Sequence, residues 1–193
     1  MTFRAFLDTC TLVPINSADL LLRCAEKGMF QVRWSDKVLK ELSDVLARPK
    51  IEVPFEKIQH RIECMRQAFP DSEVVGWQPL ESAFSNLPDV KDHHVAAAAK
   101  LSKADVIVTR NLKHFPNEKL KVHNNIYSQP PDEFMLDLWD LKPSYPLLIF
   151  NIIKNISECR KIDWRDFILQ LPHSGMSKFS TCVREWHYDF DDD

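Results

Sequence analysis

Residues 104–109 read ADVIVT, mostly apolar and β-branched. Such a run fits a strand buried on both faces. Similar short runs occur at 3–7 (FRAFL), 30–34 (FQVRW) and, briefly, 73–75. Helical spacing lies between them. Ser17 or Asp19 can cap a helix running to Lys27, with Leu20, Leu21, Cys24 and Ala25 on one face and Gly28 at its end. Ser35 can cap a second from Asp36 to about Ala47, striped by Val38, Leu42, Val45 and Leu46. Residues 55–69 carry a third helical pattern. Residues 89–101, with the small run VAAAA, carry a fourth. Strands alternating with helices predict an α/β fold, a three-layer α/β/α arrangement around a parallel sheet. Residues 76–88 show no period and are expected to be irregular, and 125–127 is a candidate last strand.

After the pair Pro130-Pro131 the strand signal stops. Residues 131–141, 144–156, 163–171 and 174–186 carry helical patterns only. The expected organisation is an α/β domain over 1–128 and a helical C-terminal extension over 129–193.

Composition narrows the chemistry. Three glycines leave no Gly-rich phosphate cradle. Lys and Arg number 25 against 28 Asp and Glu, so no global positive field gathers nucleic acid. A local basic groove or bound cations would have to do that. The five cysteines, Cys10, Cys24, Cys64, Cys159 and Cys182, form no CxxC and are expected to be free thiols in a reducing cytoplasm. No leader-like N-terminal segment and no run of about 18 apolar residues is present, so no membrane association is expected.

The acids fall at particular places on this map. Asp8 ends the first strand, and Asn111 follows the end of ADVIVT. Ligands of open α/β sheets bind in the crevice outside those strand ends. Asp89 and Asp92 open the helix leading into ADVIVT, and Glu41 lies beside the apolar stripe of its helix. Gathered carboxylates repel one another and take up protons, unless a cation joins them. A hard divalent ion such as Mg²⁺ takes one or two direct carboxylates and keeps several waters. Asp8, Glu41, Asp89 and Asp92 are therefore candidate metal ligands. Each also has a plain structural reading. Asp8 can form a turn, Asp89 and Asp92 can cap a helix, and Glu41 can pair with Lys37 four residues earlier. Asn111 can begin a turn. His93 and His94 are adjacent on a helix and point about 100° apart, so they do not suit one zinc ion.

The segments FLDTCTLVP, WSDKVLKELSDVL, LPDVKDHHVAAAAKL and ADVIVTRNLKHFP resemble, in order, the motifs of PIN-domain ribonucleases of the VapC-like toxin type. They span most of residues 3–116, and PPDEF with the helices after it resembles the extension of one subgroup. The resemblance implies that Asp8 is the first acid, Glu41 the second, Asp92 the third, Asn111 the fourth position and Asp89 an additional acid. It implies metal-dependent hydrolysis of RNA with Mg²⁺ or Mn²⁺, one or two ions. Water is then the nucleophile, and the products carry 5′-phosphate and 3′-hydroxyl ends. Thr109 and Asn111 would orient metal-bound water. Arg110, Lys37 and Lys113, with Lys40 and Arg48, are candidates for RNA contact. A cognate antitoxin is the implied protein partner. The helices after Pro130 are candidates for a dimer face, a brace or the antitoxin's seat.

One departure stands out. The family usually reads NLKDFP where this chain reads NLKHFP, so His114 replaces an acid. That weakens a second ion site or favours Mn²⁺, which imidazole suits better than it suits Mg²⁺. A degenerate module that binds RNA or protein without cleavage is the alternative. A haloacid-dehalogenase-like phosphatase also begins with a strand-end Asp, but needs a second Asp at the position of Cys10.

Overall fold

The computed structural model describes residues 3–122 and 126–191. They form two compact units. One holds the chain up to Val13 together with Phe30–Gln129; the other holds Pro14–Met29 together with the chain from Pro130 on.

The first unit contains β1 (Arg4–Leu7) and α1 (Thr9–Leu12). After the excursion of α2 (Ile15–Glu26) into the second unit come β2 (Gln31–Ser35), α3 (Asp36–Leu46), α4 (Phe55–Ala68) and β3 (Glu73–Val74). Then follow α5 (His93–Leu101), β4 (Val106–Val108), α6 (Asn117–Leu120) and β5 (Tyr127–Gln129). The five strands form one parallel sheet in the order β3-β2-β1-β4-β5. Succession runs one way from β1 to β3 and the other way from β4 to β5. The order therefore reverses between β1 and β4, the place where α/β sheets open a crevice. Right-handed crossovers put α3 and α4 on one face and α5 and α6 on the other. Phe6, Leu7, Val106, Ile107 and Val108 are fully buried, as a sheet covered on both faces requires.

Local chemistry explains the boundaries. Ser35 is the cap of α3, its hydroxyl accepting from Val38 N at 3.2 Å. Expected residues 89–101 split in two: a single 3₁₀ turn over Val90–Asp92 precedes α5. Val95–Ala99 are fully buried, and four alanines in a row let α5 pack closely against its neighbours. The segment expected to be irregular contains a 3₁₀ helix over Gln78–Phe84, packed on α5 and anchored by buried Phe84. Its three-residue turn has no 3.6-residue stripe to detect. The strand at 104–109 shortens to three residues in the ladder. The last strand lies at Tyr127–Gln129; Asn125, part of the expected one, falls outside the described residues.

The second unit is helical: α2, α7 (Pro131–Leu141), α8 (Tyr145–Arg160), α9 (Trp164–Gln170) and α10 (Ser177–Asp191). Helix α2 begins at Ile15, not at Ser17 or Asp19. Pro14 stands extended at its cap, and the Ser17 hydroxyl turns back onto the Pro14 carbonyl at 3.1 Å. Asp19 instead pairs with Arg23 at 2.9 Å and Arg160 at 2.7 Å, and Arg160 also holds Asn16. These bonds, with buried Leu20, Leu21 and Cys24, fasten α2 to α8. Helix α8 runs four residues past its expected end and stops where Lys161 turns left-handed at φ 55°. Helix α10 starts later than expected, after a 3₁₀ turn over Leu171–Ser174 and a left-handed Gly175. Trp139, Phe167 and Phe179 are buried as this unit's core.

All five cysteines are free. Among the described residues no helix is long and apolar enough to cross a membrane. Ser35→Ala removes the α3 cap and should cost about 1 kcal/mol. Urea unfolding checks this, and an unchanged midpoint would contradict it.

Candidate functional site

The site is built at the strand-order reversal. Leu7 of β1 pairs in register with Val108 of β4, so the residues after each strand emerge side by side. Asp8 N donates to the Val108 carbonyl at 3.1 Å, and the Thr11 hydroxyl donates to the same oxygen at 2.8 Å. Asp8 is 7% exposed. Its Oδ2 accepts from Thr109 Oγ1 at 2.7 Å and from Cys10 Sγ at 3.1 Å. Burial is the largest influence on this carboxyl and raises it above the ordinary value. The Thr109 and Cys10 bonds offset part of the rise, and the charge of Asp92 adds to it. Cys10 is pushed up to about 12 by burial and by Asp8, so its thiol stays protonated and donates.

Thr109 has one proton, and it goes to Asp8. Its oxygen accepts from Asn111 N at 3.0 Å. In this geometry Thr109 orients a carboxylate.

Among the described residues, Asp89, Asp92 and His114 form a group that could hold a cation, each offering a ligand atom within 4.8 Å of the others. His114 Nδ1 lies 2.6 Å from Asp92 Oδ2, 3.6 Å from Asp89 Oδ2 and 3.0 Å from Asn111 Nδ2. Asp92 makes no capping bond, so its carboxylate is turned to the site. Asp89 does both jobs: Oδ1 accepts from Lys91 N at 2.9 Å while Oδ2 faces His114.

Glu41 reaches the site from α3. Thr9 Oγ1 donates to its Oε2 at 2.9 Å, and His94 Nε2 lies 3.0 Å from its Oε1. Burial is the largest single influence and raises this carboxyl, but His94, Thr9 and the weaker pull of Lys37 outweigh it and leave it below the usual range. The expected solvated pairing with Lys37 is therefore the lesser contact. Lys37 spreads its ammonium over the Trp77 ring, 5.6 Å from the centroid. Arg110 and Lys113, flanking Asn111 in sequence, are exposed, and Lys40 on α3 and Arg48 after it are exposed as well.

His93 and His94 part as adjacent helical residues do. The His93 ring faces the Leu87 carbonyl at 3.5 Å, and His94 faces Glu41.

The PIN domain family matches residues 4–113, which contain every one of these groups but His114. The chain belongs to the PIN-domain family. This PIN protein is 48% identical over 66 residues to the Mycobacterium tuberculosis (strain H37Rv) protein named "Putative ribonuclease VapC50". That stretch is 34% of this chain and 37% of the relative, so the likeness covers little more than a third of either. No solved structure gives a significant match.

Sequence reasoning singled out Asp8, Glu41, Asp89, Asp92, Thr109 and Asn111, and the structure brings them to one edge of the PIN sheet. It did not find Thr9, Cys10 or His94, and it left open whether His114 weakens an ion site or favours Mn²⁺; its ring sits among the acids. Thr9 and Cys10 had one available signal, their place directly after the strand-end Asp.

Asp8 carries a consequence for stability. A carboxyl raised in the folded state holds its proton better folded than unfolded. Stability then falls as pH rises from the ordinary value, 3.8, through the raised one, and stays lower above it. Asp8→Asn should therefore raise the melting temperature of the chelator-treated protein at pH 7, and the gain should fade as pH drops below the ordinary value. A lower melting temperature of the variant at pH 7 contradicts this.

Proposed function

We propose that this PIN protein is a metal-dependent endoribonuclease and the toxin of a toxin–antitoxin pair. The reading is carried by the convergence of Asp89, Asp92 and His114 next to the buried carboxylate of Asp8. Two carboxylates and an imidazole are a donor set that fits a divalent transition ion. Asp92 and His114 would hold the ion, with Asp8, Asp89 and Glu41 as further ligands or as holders of its waters. When bound, the ion activates water and stabilises charge on the phosphodiester.

The chain's own residues prepare that step. Thr109 and Cys10 fix the angle of Asp8. Thr9 fixes Glu41. Asn111 ties the loop after β4 to His114. Arg110, with Lys37 and Lys113 beside it, would pair phosphate oxygens as RNA enters. The name of the partial relative, a ribonuclease, favours RNA as substrate. The same likeness to VapC favours an antitoxin partner and a cytoplasmic setting. Water as nucleophile gives 5′-phosphate and 3′-hydroxyl ends. His114 tilts the choice of ion toward Mn²⁺ over Mg²⁺.

One observation favours a second reading. The His114–Asp92 contact at 2.6 Å is also what a ring standing in the metal's place would make, leaving a module that binds without cutting. Cleavage of total RNA with Mn²⁺ or Mg²⁺, wild type beside Asp8→Asn and Asp92→Asn, separates the two. We expect Mn²⁺-dependent cutting that falls at least the roughly 10–100-fold typical of disturbed metal sites. RNA retention without cutting favours the binder, and 2′,3′-cyclic phosphate ends contradict the mechanism. His114→Asp should shift the preference toward Mg²⁺; an unchanged Mn²⁺/Mg²⁺ ratio removes His114 from the ion's shell. Co-expression with the adjoining gene's product should lower activity.

A further inference from the structure

We infer that His94 is the positioning residue that holds the Glu41 carboxylate in place for the ion. This rests on the metal-dependent reading above. His94 is fully buried, and its Nδ1 has no hydrogen-bond partner among the described residues. Its Nε2 meets Glu41 Oε1 at 3.0 Å, at ion-pair distance but without the alignment of a hydrogen bond. A buried imidazole that leaves Nδ1 unbonded is costly. A leucine would fill the same buried space beside the Trp77 ring, 5.6 Å away, without that cost. Packing therefore does not account for histidine here. The contact with Glu41 does.

The geometry of Glu41 agrees. Its side chain is 37% exposed, yet both oxygens are engaged from the buried side, Oε2 by Thr9 and Oε1 by His94. A free glutamate on a helix surface samples many rotamers, and fixing it costs side-chain entropy. Two buried contacts fix it in the folded protein, before any ion arrives. The support behind His94 is rigid as well. Trp77 packs on its ring and donates Nε1 to Asp36 Oδ1 at 2.8 Å, in the first turn of the helix that bears Glu41. His94 also follows Asp92 by two residues, so it links the second acid to the helix start that presents the third. His93, one residue earlier, faces the Leu87 carbonyl and has no such part.

A double-mutant cycle on Mn²⁺ affinity tests this, read by calorimetry on the full chain without RNA. We expect His94→Leu to weaken Mn²⁺ binding by about 10-fold. His94→Gln, with an amide nitrogen near the place of Nε2, should recover most of that. Glu41→Gln should weaken binding similarly, and the double variant should be no worse than Glu41→Gln alone, because both remove one contact. If His94→Leu does not fold, His94→Asn, polar but too short to reach Glu41, carries the same cycle. Wild-type binding with losses that multiply, or with no loss in the His94 variants, overturns the inference and leaves the metal reading intact. No Mn²⁺ binding by the wild type overturns both.

Discussion

The structure depends on a carboxylate buried where it is least comfortable. Asp8 closes the central strand of a parallel sheet, 7% exposed, with the charge of Asp92 acting on it. Desolvation and like charge both disfavour its ionised form. A side chain in that position lowers the stability of the fold unless something compensates, and Thr109 and Cys10 compensate only in part. The remainder is what a divalent cation would supply. The site is thus strained in the sense that matters for binding: on the proposed reading it is assembled before an ion arrives, and a bound ion would relieve it.

The fold makes that arrangement possible by topology. Reversal of the strand order at β1 and β4 leaves two adjacent strand ends with no helix passing between them. Asp8 and Thr109 leave those ends in register. Helix α3 brings Glu41 to this end of the sheet, and the turn leading into α5 brings Asp89 and Asp92. The alanine run of α5 matters here, because bulkier residues at Ala96–Ala99 would push its start, and Asp92 with it, away from the sheet. Residues with no chemistry of their own therefore place the ones that have it.

Much of this was legible in the sequence. A short apolar run marked β1, a β-branched one marked β4, Ser35 marked the start of α3, and Pro131 with the helical pattern behind it marked α7. Asp8, Asp92 and Asn111 were visible because strand ends and helix starts are where chain pattern and chemistry coincide. What stayed hidden depends on partners distant along the chain. Residues 14–29 read as the second element of an α/β domain, yet α2 is claimed by Arg160 and Asn155 of α8, more than 130 residues on. The 3₁₀ helix over Gln78–Phe84 has too short a repeat to show. His94 looked like one half of an unsuitable zinc pair, since nothing local reveals that its ring ends beside Glu41. His114 could be read from sequence either as a missing acid or as an imidazole suited to Mn²⁺; in space its ring nitrogen stands beside Asp89 and Asp92.

The most direct test of the central claim is to locate the ion. Crystals grown with millimolar Mn²⁺ and measured at the manganese absorption edge should show one strong anomalous peak about 2 Å from Asp92 and from the His114 ring, facing Asp8. A peak elsewhere, or none while RNA is still cut, would contradict the account.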